Sequence, residues 1–275
     1  MVETLRTSWS LAKAAPGHAM VFALRSIIPF GISFRDLEGY RISTWRHGRL
    51  PRVHLTRVFP GIDNVKVELL NLYQRKLGLS IDAHELMVLC AIERFVEAKN
   101  VLEIGTYDGN TTLNLAANVS AGGHVTTIDL PADWDQQFVY DVPESRWNVT
   151  NLQRVGAQYQ NTPYADRIRQ VLGDSAKVDF GHLDPPFDMI FIDGNHFRDY
   201  VKKDTENALQ HLRPGGVVVW HDYGDIKDVS KVVDEAARHI TAYVVRGTRL
   251  AVGWHREHPV SPLVSVLAET RGNRL

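Results

Sequence analysis

The sequence predicts an α/β protein built on a mostly parallel seven-stranded sheet, with helices on both faces and an antiparallel hairpin strand near its C-terminal end. Two observations lead there. Short apolar runs alternate with amphipathic stretches between residues 81 and 256, the order expected of parallel strands joined by crossover helices. The last two runs, residues 242–245 and 249–254, are separated only by Arg246-Gly247-Thr248, a spacing that fits a hairpin.

Taken in order, residues 1–80 stand outside this alternation and form a basic N-terminal extension that serves as arm, lid or oligomerisation segment. Residues 1–60 carry nine Lys and Arg against three acids, a net +6, which leaves −7 on the remainder of a chain whose total is −1. Such an appendage attracts an acidic substrate, an anionic membrane face or an acidic partner subunit, or is simply a solvated surface. From residue 82 to 98, Leu86, Leu89, Cys90, Ile92, Phe95 and Val96 recur at helical spacing, with Ser80 or Asp82 available as N-cap. Strands at 101–104 and 125–128 flank a helix over 111–118, and a helical segment at 147–158 precedes strands at 168–172 and 187–192. A helix over 200–212 is stopped by Pro214 and Gly215, residues 216–220 read as a buried strand, and a helix over 227–239 leads into the hairpin. Residues 257–275 are a tail.

The 275 residues are 44% hydrophobic and 23% charged, which fits one main globular core with an appendage. The single cysteine, Cys90, has no internal partner for a disulfide and reads as a core residue of a reducing compartment. Residues 11–30 are apolar but interrupted by Lys13, His18, Arg25, Pro16 and Pro29, so no membrane span is expected. No signal peptide is legible, and a cytoplasmic protein without a nucleic-acid partner is the expectation.

The segment from Val101 to Thr112 runs from a strand, through glycines, into a helix. Gly105 permits a tight turn, Gly109 lets backbone approach a ligand, and the helix start offers unpaired amide donors. A dinucleotide site places its first glycine where this chain has Glu103. That carboxylate repels a pyrophosphate but accepts hydrogen bonds from an ammonium or hydroxyl group, which suits an amino-acid-bearing cofactor.

With its acid-x-Gly-x-x-x-Gly loop at Glu103, Gly105 and Gly109, the sequence resembles the class I S-adenosylmethionine-dependent methyltransferases, a family with a Rossmann-like sheet. The resemblance covers residues 81 to about 256. It implies donor contacts along the loop from Thr106 and Tyr107 to Asn110 and Thr111. Asp129, which ends the second strand, falls where the family's acid accepts the ribose hydroxyls. Asp174 and Ser175, after the third strand, fall at the adenine-side acidic motif.

Asp193 ends the fourth strand of that core, and His221 and Asp222 end the fifth, where ligands of open α/β sheets sit. If those strands are neighbours, the three side chains converge on a divalent cation. His196, three residues beyond Asp193, is placed as a general base whose near-neutral pKa suits proton transfer. These segments are similar to a branch of metal-dependent O-methyltransferases acting on sugar and other natural-product hydroxyls. That similarity implies magnesium or manganese at Asp193, His221 and Asp222, and a small-molecule or glycosyl acceptor. His221 replaces an acid of the branch's pair, and imidazole suits manganese, iron or zinc better than magnesium.

The connection over 131–146 carries Trp134, Phe138 and Tyr140 among acids and reads as a lid, an acceptor wall or a self-packed surface insertion. Residues 31–60 are a second candidate wall or the arm of a homo-oligomer. Two other functions stay open: a nicotinamide-dependent oxidoreductase on a similar sheet, and a non-catalytic cofactor-binding interaction protein. Glu103 and the terminal hairpin both count against the first.

Overall fold

The computed structural model describes residues 47–72, 81–134, 137–142, 155–258 and 260. Its strands are β1 (Arg52–Val53), β2 (Asn100–Ile104), β3 (His124–Asp129), β4 (Ile168–Leu172), β5 (Phe187–Ile192), β6 (Leu212–Trp220), β7 (Ile240–Val245) and β8 (Ala251–His255). The principal helices are α1 (Ala83–Phe95), α2 (Asn110–Asn118), α3 (Arg198–His211) and α4 (Lys227–Ala236). The strands form a single sheet in the order β1-β7-β8-β6-β5-β2-β3-β4. All neighbours are parallel except β8, which runs antiparallel to both β6 and β7.

Period-two alternation divides the core between the two faces. On β2, Val101 packs with Leu89 and Leu115 of α1 and α2, whereas Leu102 and Ile104 pack with Val201 and Val232 of α3 and α4. Helices therefore cover both faces, and each fully buried Leu, Ile or Phe contributes about 1.5–3 kcal/mol before entropy is counted. Asp82 starts α1 by accepting from the amides of His84 and Glu85, both at 2.9 Å. Ser80, the alternative cap, lies outside the described residues. Cys90 is wholly buried in the α1 face, as a core residue.

Three features differ from the sequence expectation. The sheet has eight strands, because the extension contributes β1 at the open edge of β7. There Arg246 N donates to Val53 O at 2.9 Å and Val244 N to Pro51 O at 3.0 Å, satisfying edge groups that otherwise face water. A two-residue strand has no periodicity by which to recognise it. Second, α3 ends at His211 and β6 begins at Leu212, so Pro214 and Gly215 lie inside a strand. Leu212 pairs with Phe187 and Val217 with Met189, and the residues between bulge out of register. Third, of the helix expected at 147–158, residues 147–154 lie outside the described residues and 155–160 form turns. None of the described helices is long and apolar enough to cross a membrane.

Candidate active site at the carboxyl edge of the sheet

Because β2 to β6 are parallel, their carboxyl ends share one edge, and the predicted site residues gather there. The loop after β2 is shaped by two glycines with positive φ, +103° at Gly105 and +85° at Gly109. A Cβ on Gly105 would lie 2.2 Å from Asp193 O, so this glycine admits the end of β5 against the loop. A Cβ on Gly109 would lie 2.7 Å from the Tyr159 ring and 2.8 Å from Gly156 Cα. The expectation that Gly109 clears space for a ligand is thus corrected: what approaches it is the chain's own turn at 155–160. Gly109 is also the N-cap of α2 and makes no side-chain cap hydrogen bond.

Glu103 is completely buried. Its Oε2 accepts from Thr112 and, at 2.6 Å, from Thr127, while its Oε1 has no partner. Desolvation outweighs the two threonine hydrogen bonds and pushes its carboxyl up to about 8. Thr106 braces the same network through Thr127, Oγ1 to Oγ1 at 2.7 Å. Two further buried acceptors in the loop lack donors, Asp108 Oδ2 and Asn110 Oδ1. Asp129 holds the loop by accepting from Tyr107 N at 2.6 Å and Leu130 N at 2.7 Å, and desolvation raises its carboxyl above the ordinary value. Thr111 is half-buried on the first turn of α2.

Asp174 is buried beside α3, where Oδ2 accepts from Tyr200 Oη at 2.8 Å and Val139 N at 3.1 Å, and Oδ1 from Ala176 N at 3.0 Å. Ser175 is half-buried next to it. The described part of the 131–146 connection packs here. Tyr140 and Phe138 meet Tyr200 edge-on with centroids at 5.2 and 6.4 Å, and Trp134 packs on Phe138 at 5.9 Å. The aromatics thus close over the Asp174 end of the edge, and residues 143–146 lie outside the described residues.

β5 and β6 are neighbours, which brings Asp193, His196, His221 and Asp222 together. His196 Nε2 lies 2.9 Å from Asp222 Oδ2 and 3.6 Å from Asp193 Oδ1. One ligand atom from each of Asp193, His196 and Asp222 falls within 4.8 Å of the others, an arrangement that can hold a metal ion. His221 adjoins this group, but its ring nitrogens are engaged: Nδ1 with Asp193 Oδ1 at 3.1 Å, Nε2 with Glu85 Oε2 at 3.0 Å. Desolvation opposes a charge on His221, but Asp193 and Asp222 prevail and raise it well above the usual imidazole value. It is therefore a buried cation behind the carboxylates. Asp193 and Asp222 are in turn held below the ordinary range, since the His221 charge and the histidine contacts outweigh desolvation. Asp222 is also strained, with φ +56°.

The near-neutral value expected for His196 is corrected as well. Desolvation lowers it, but Asp193 and Asp222 together drive it up to about 9, so the imidazole carries a proton at neutral pH.

Sequence reasoning missed Glu85 and Arg249. Arg249 donates to Glu85 through Nη2 at 2.7 Å, Nε at 3.2 Å and its backbone N at 2.6 Å, and through Nη1 to Asp222 at 2.8 Å. Glu85 stands three residues after the cap Asp82, the position of a capping-box acid, and that local role is what the sequence suggests. In the structure it turns inward to His221 instead. Desolvation raises its carboxyl, but His221 and Arg249 outweigh that and hold it at about 2.

The sequence profile of a family described as "Methyltransferase domain" matches residues 102–223. The chain is similar to a catechol O-methyltransferase of Mycobacterium tuberculosis, 28% identical over 141 residues, 51% of this chain and 56% of that protein. A catechol O-methyltransferase of Niastella koreensis is 27% identical over 174 residues, 62% of this chain and 68% of that protein. The match thus spans little more than half the length of the mycobacterial relative. Among solved structures, an O-methyltransferase from Bacillus cereus in complex with SAH is 17% identical, with 84% of this chain and 94% of that chain covered and a TM-score of 0.48.

Proposed function

We propose that the chain, whose residues 102–223 match a family described as "Methyltransferase domain", transfers the methyl group of S-adenosylmethionine to a hydroxyl oxygen of a small-molecule acceptor. The observation that carries this reading is the set of buried oxygens without partners, Asp108 Oδ2, Asn110 Oδ1 and Glu103 Oε1, the last an acceptor once its carboxyl ionises. Buried acceptors left unpaired cost about 1–3 kcal/mol each, and a ligand rich in donors restores that loss. An ammonium and ribose hydroxyls are such donors; a pyrophosphate is not. A carboxylate at Glu103 repels the pyrophosphate of a nicotinamide dinucleotide, which disfavours that ligand.

In the transfer, the acceptor oxygen forms its bond to the methyl carbon in line with the breaking carbon–sulfur bond, whose electron pair neutralises the sulfonium. Alignment of donor and acceptor supplies most of the acceleration. Asp193, His196 and Asp222 would hold a divalent cation, whose charge would favour the ionised form of the acceptor hydroxyl. Two carboxylates and an imidazole suit manganese, iron or zinc. With no cation on its Nε2, His196 takes the acceptor proton at that nitrogen, and only when it is unprotonated; with a cation bound there, it serves as a ligand. The His221 charge favours the ionised form of both Asp193 and Asp222.

The relatives named for catechol direct the first acceptor assays to vicinal hydroxyls. Equilibrium dialysis with methyl-labelled S-adenosylmethionine tests the donor reading: about one equivalent retained per chain is expected, and no retention overturns it. His196→Ala is expected to abolish methyl transfer while leaving dialysis unchanged; unaltered turnover removes His196 from the mechanism.

A further inference from the structure

A concave site lies between residues 47–52, the start of α3 and the length of α4, with a volume of about 590 Å³. That volume suits a small organic ligand. Six cationic side chains line it, Arg49, Arg52, Arg198, Lys227, Lys231 and Arg238, against two acids, Asp234 and Glu235. Both acids are already engaged. Asp234 Oδ1 accepts from Tyr223 Oη and, at 3.0 Å, from Arg49 N, and Glu235 pairs with Arg198 at 3.0 Å. Among the described residues, the side chains of Arg52, Lys227, Lys231 and Arg238 have no ion-pair partner. Arg52 Nε is moreover buried without a hydrogen-bond acceptor.

The wall that carries these groups is fixed in place. Tyr223 Oη accepts from Arg49 N at 2.8 Å and Leu50 N at 2.9 Å, and His47 N donates to Gly224 O at 3.2 Å. Gly48 has φ +90°, and a Cβ there would lie 2.3 Å from Tyr223 Oη, so the close approach of this segment depends on glycine. Arg198 and Lys227 are the first residues of their helices, and neither start has a side-chain cap hydrogen bond. The dipole of α3, which meets the cleft only at its first residue, adds to the positive potential there.

We propose that this cleft binds the phosphate groups of a phosphorylated small molecule, in a site separate from the methyl-donor loop. Unpaired guanidinium and ammonium groups around one cavity repel each other, and a di-anion or larger phosphate resolves that repulsion with bidentate and point-charge contacts. Tyr223 directly follows Asp222, and Arg198 lies two residues beyond His196, so a bound phosphate flanks the strand ends that carry the carboxylate cluster.

Calorimetric titration of the full chain with inorganic pyrophosphate tests the site. Saturable binding is expected, weakened at least tenfold by Arg52→Ala with Lys231→Ala and weakened steeply by added salt. S-adenosylhomocysteine binding is expected to be the same in the variant, which also shows that the variant is folded. Absence of pyrophosphate binding, or binding unaffected by the paired substitution, overturns the proposal. Binding to anionic phospholipid vesicles without binding to pyrophosphate overturns it too, by assigning the cations to a membrane surface. Pyrophosphate binding in a chain that retains no methyl donor leaves this site standing and removes the methyltransferase reading.

Discussion

The two halves of the carboxyl edge treat their carboxylates in opposite ways. Around the loop after β2, Glu103 is buried and Asp129 half-buried among hydroxyls and amides, with no paired cation among the described residues, and both are raised, Glu103 to about 8. At the ends of β5 and β6, Asp193 and Asp222 lie against His196, His221 and Arg249, and both are lowered. The first half lacks positive charge and donors until a ligand brings them. The second carries its own counter-ions and is ionised in advance. An aminoacyl, sulfonium-bearing ligand fits the first arrangement, and a site for deprotonating or binding an oxygen acceptor fits the second. The halves touch where Gly105 lies against Asp193 O.

The largest expected effect comes from removing the counter-ion of the second half. Glu85→Ala leaves His221 and Arg249 buried without their shared carboxylate, and a loss of about 3–5 kcal/mol in chemical denaturation is expected. A loss below about 1 kcal/mol would show that Asp193 and Asp222 suffice to hold both cations. Next in size, Gly105→Ala forces a side chain into φ +103° and into Asp193 O, and about 2 kcal/mol or more should be lost. If the halves are coupled through this contact, donor affinity and metal affinity both fall in that variant; a change in only one would break the coupling.

The contrast in proton affinity gives opposite pH limbs. Glu85 is held at about 2 against an ordinary 4.5, so its contribution is complete above about 4.5 and is lost as pH falls toward 2. Glu103 is raised to about 8, so the folded state holds its proton more tightly than the unfolded chain and stability falls as pH rises from about 4.5 to 8. Glu103→Gln is therefore expected to raise the Tm by about 3 °C or more at pH 8 and far less at pH 5, while weakening donor binding. Equal shifts at both pH values would contradict the assignment. The smallest effect is expected at Thr127→Val, which removes one donor to Glu103 and should cost about 1 kcal/mol.

The sheet was legible because its strands are apolar runs set off by glycines and caps, as at residues 168–172 and 187–192. The ends of those strands carry much of the candidate site, since a parallel arrangement sends Asp129, Asp193 and Asp222 to one edge. What stayed hidden is long-range or unpatterned. Glu85 and Arg249 meet across 164 residues, and nothing local distinguishes Glu85 from a cap. Gly109 reads as room for a ligand until Tyr159 and Gly156 are seen against it. His196 reads as a near-neutral base until two carboxylates are found beside it, and β1 is too short to show any period.

The contrast between the halves is tested most directly by calorimetric titration of S-adenosylhomocysteine at pH 7, repeated in buffers of different ionisation enthalpy. Glu103 enters the experiment protonated and must ionise to receive the ligand's ammonium, so binding is expected with release of up to one proton to the buffer. Binding with no buffer dependence, or with proton uptake, would contradict the account of the donor half.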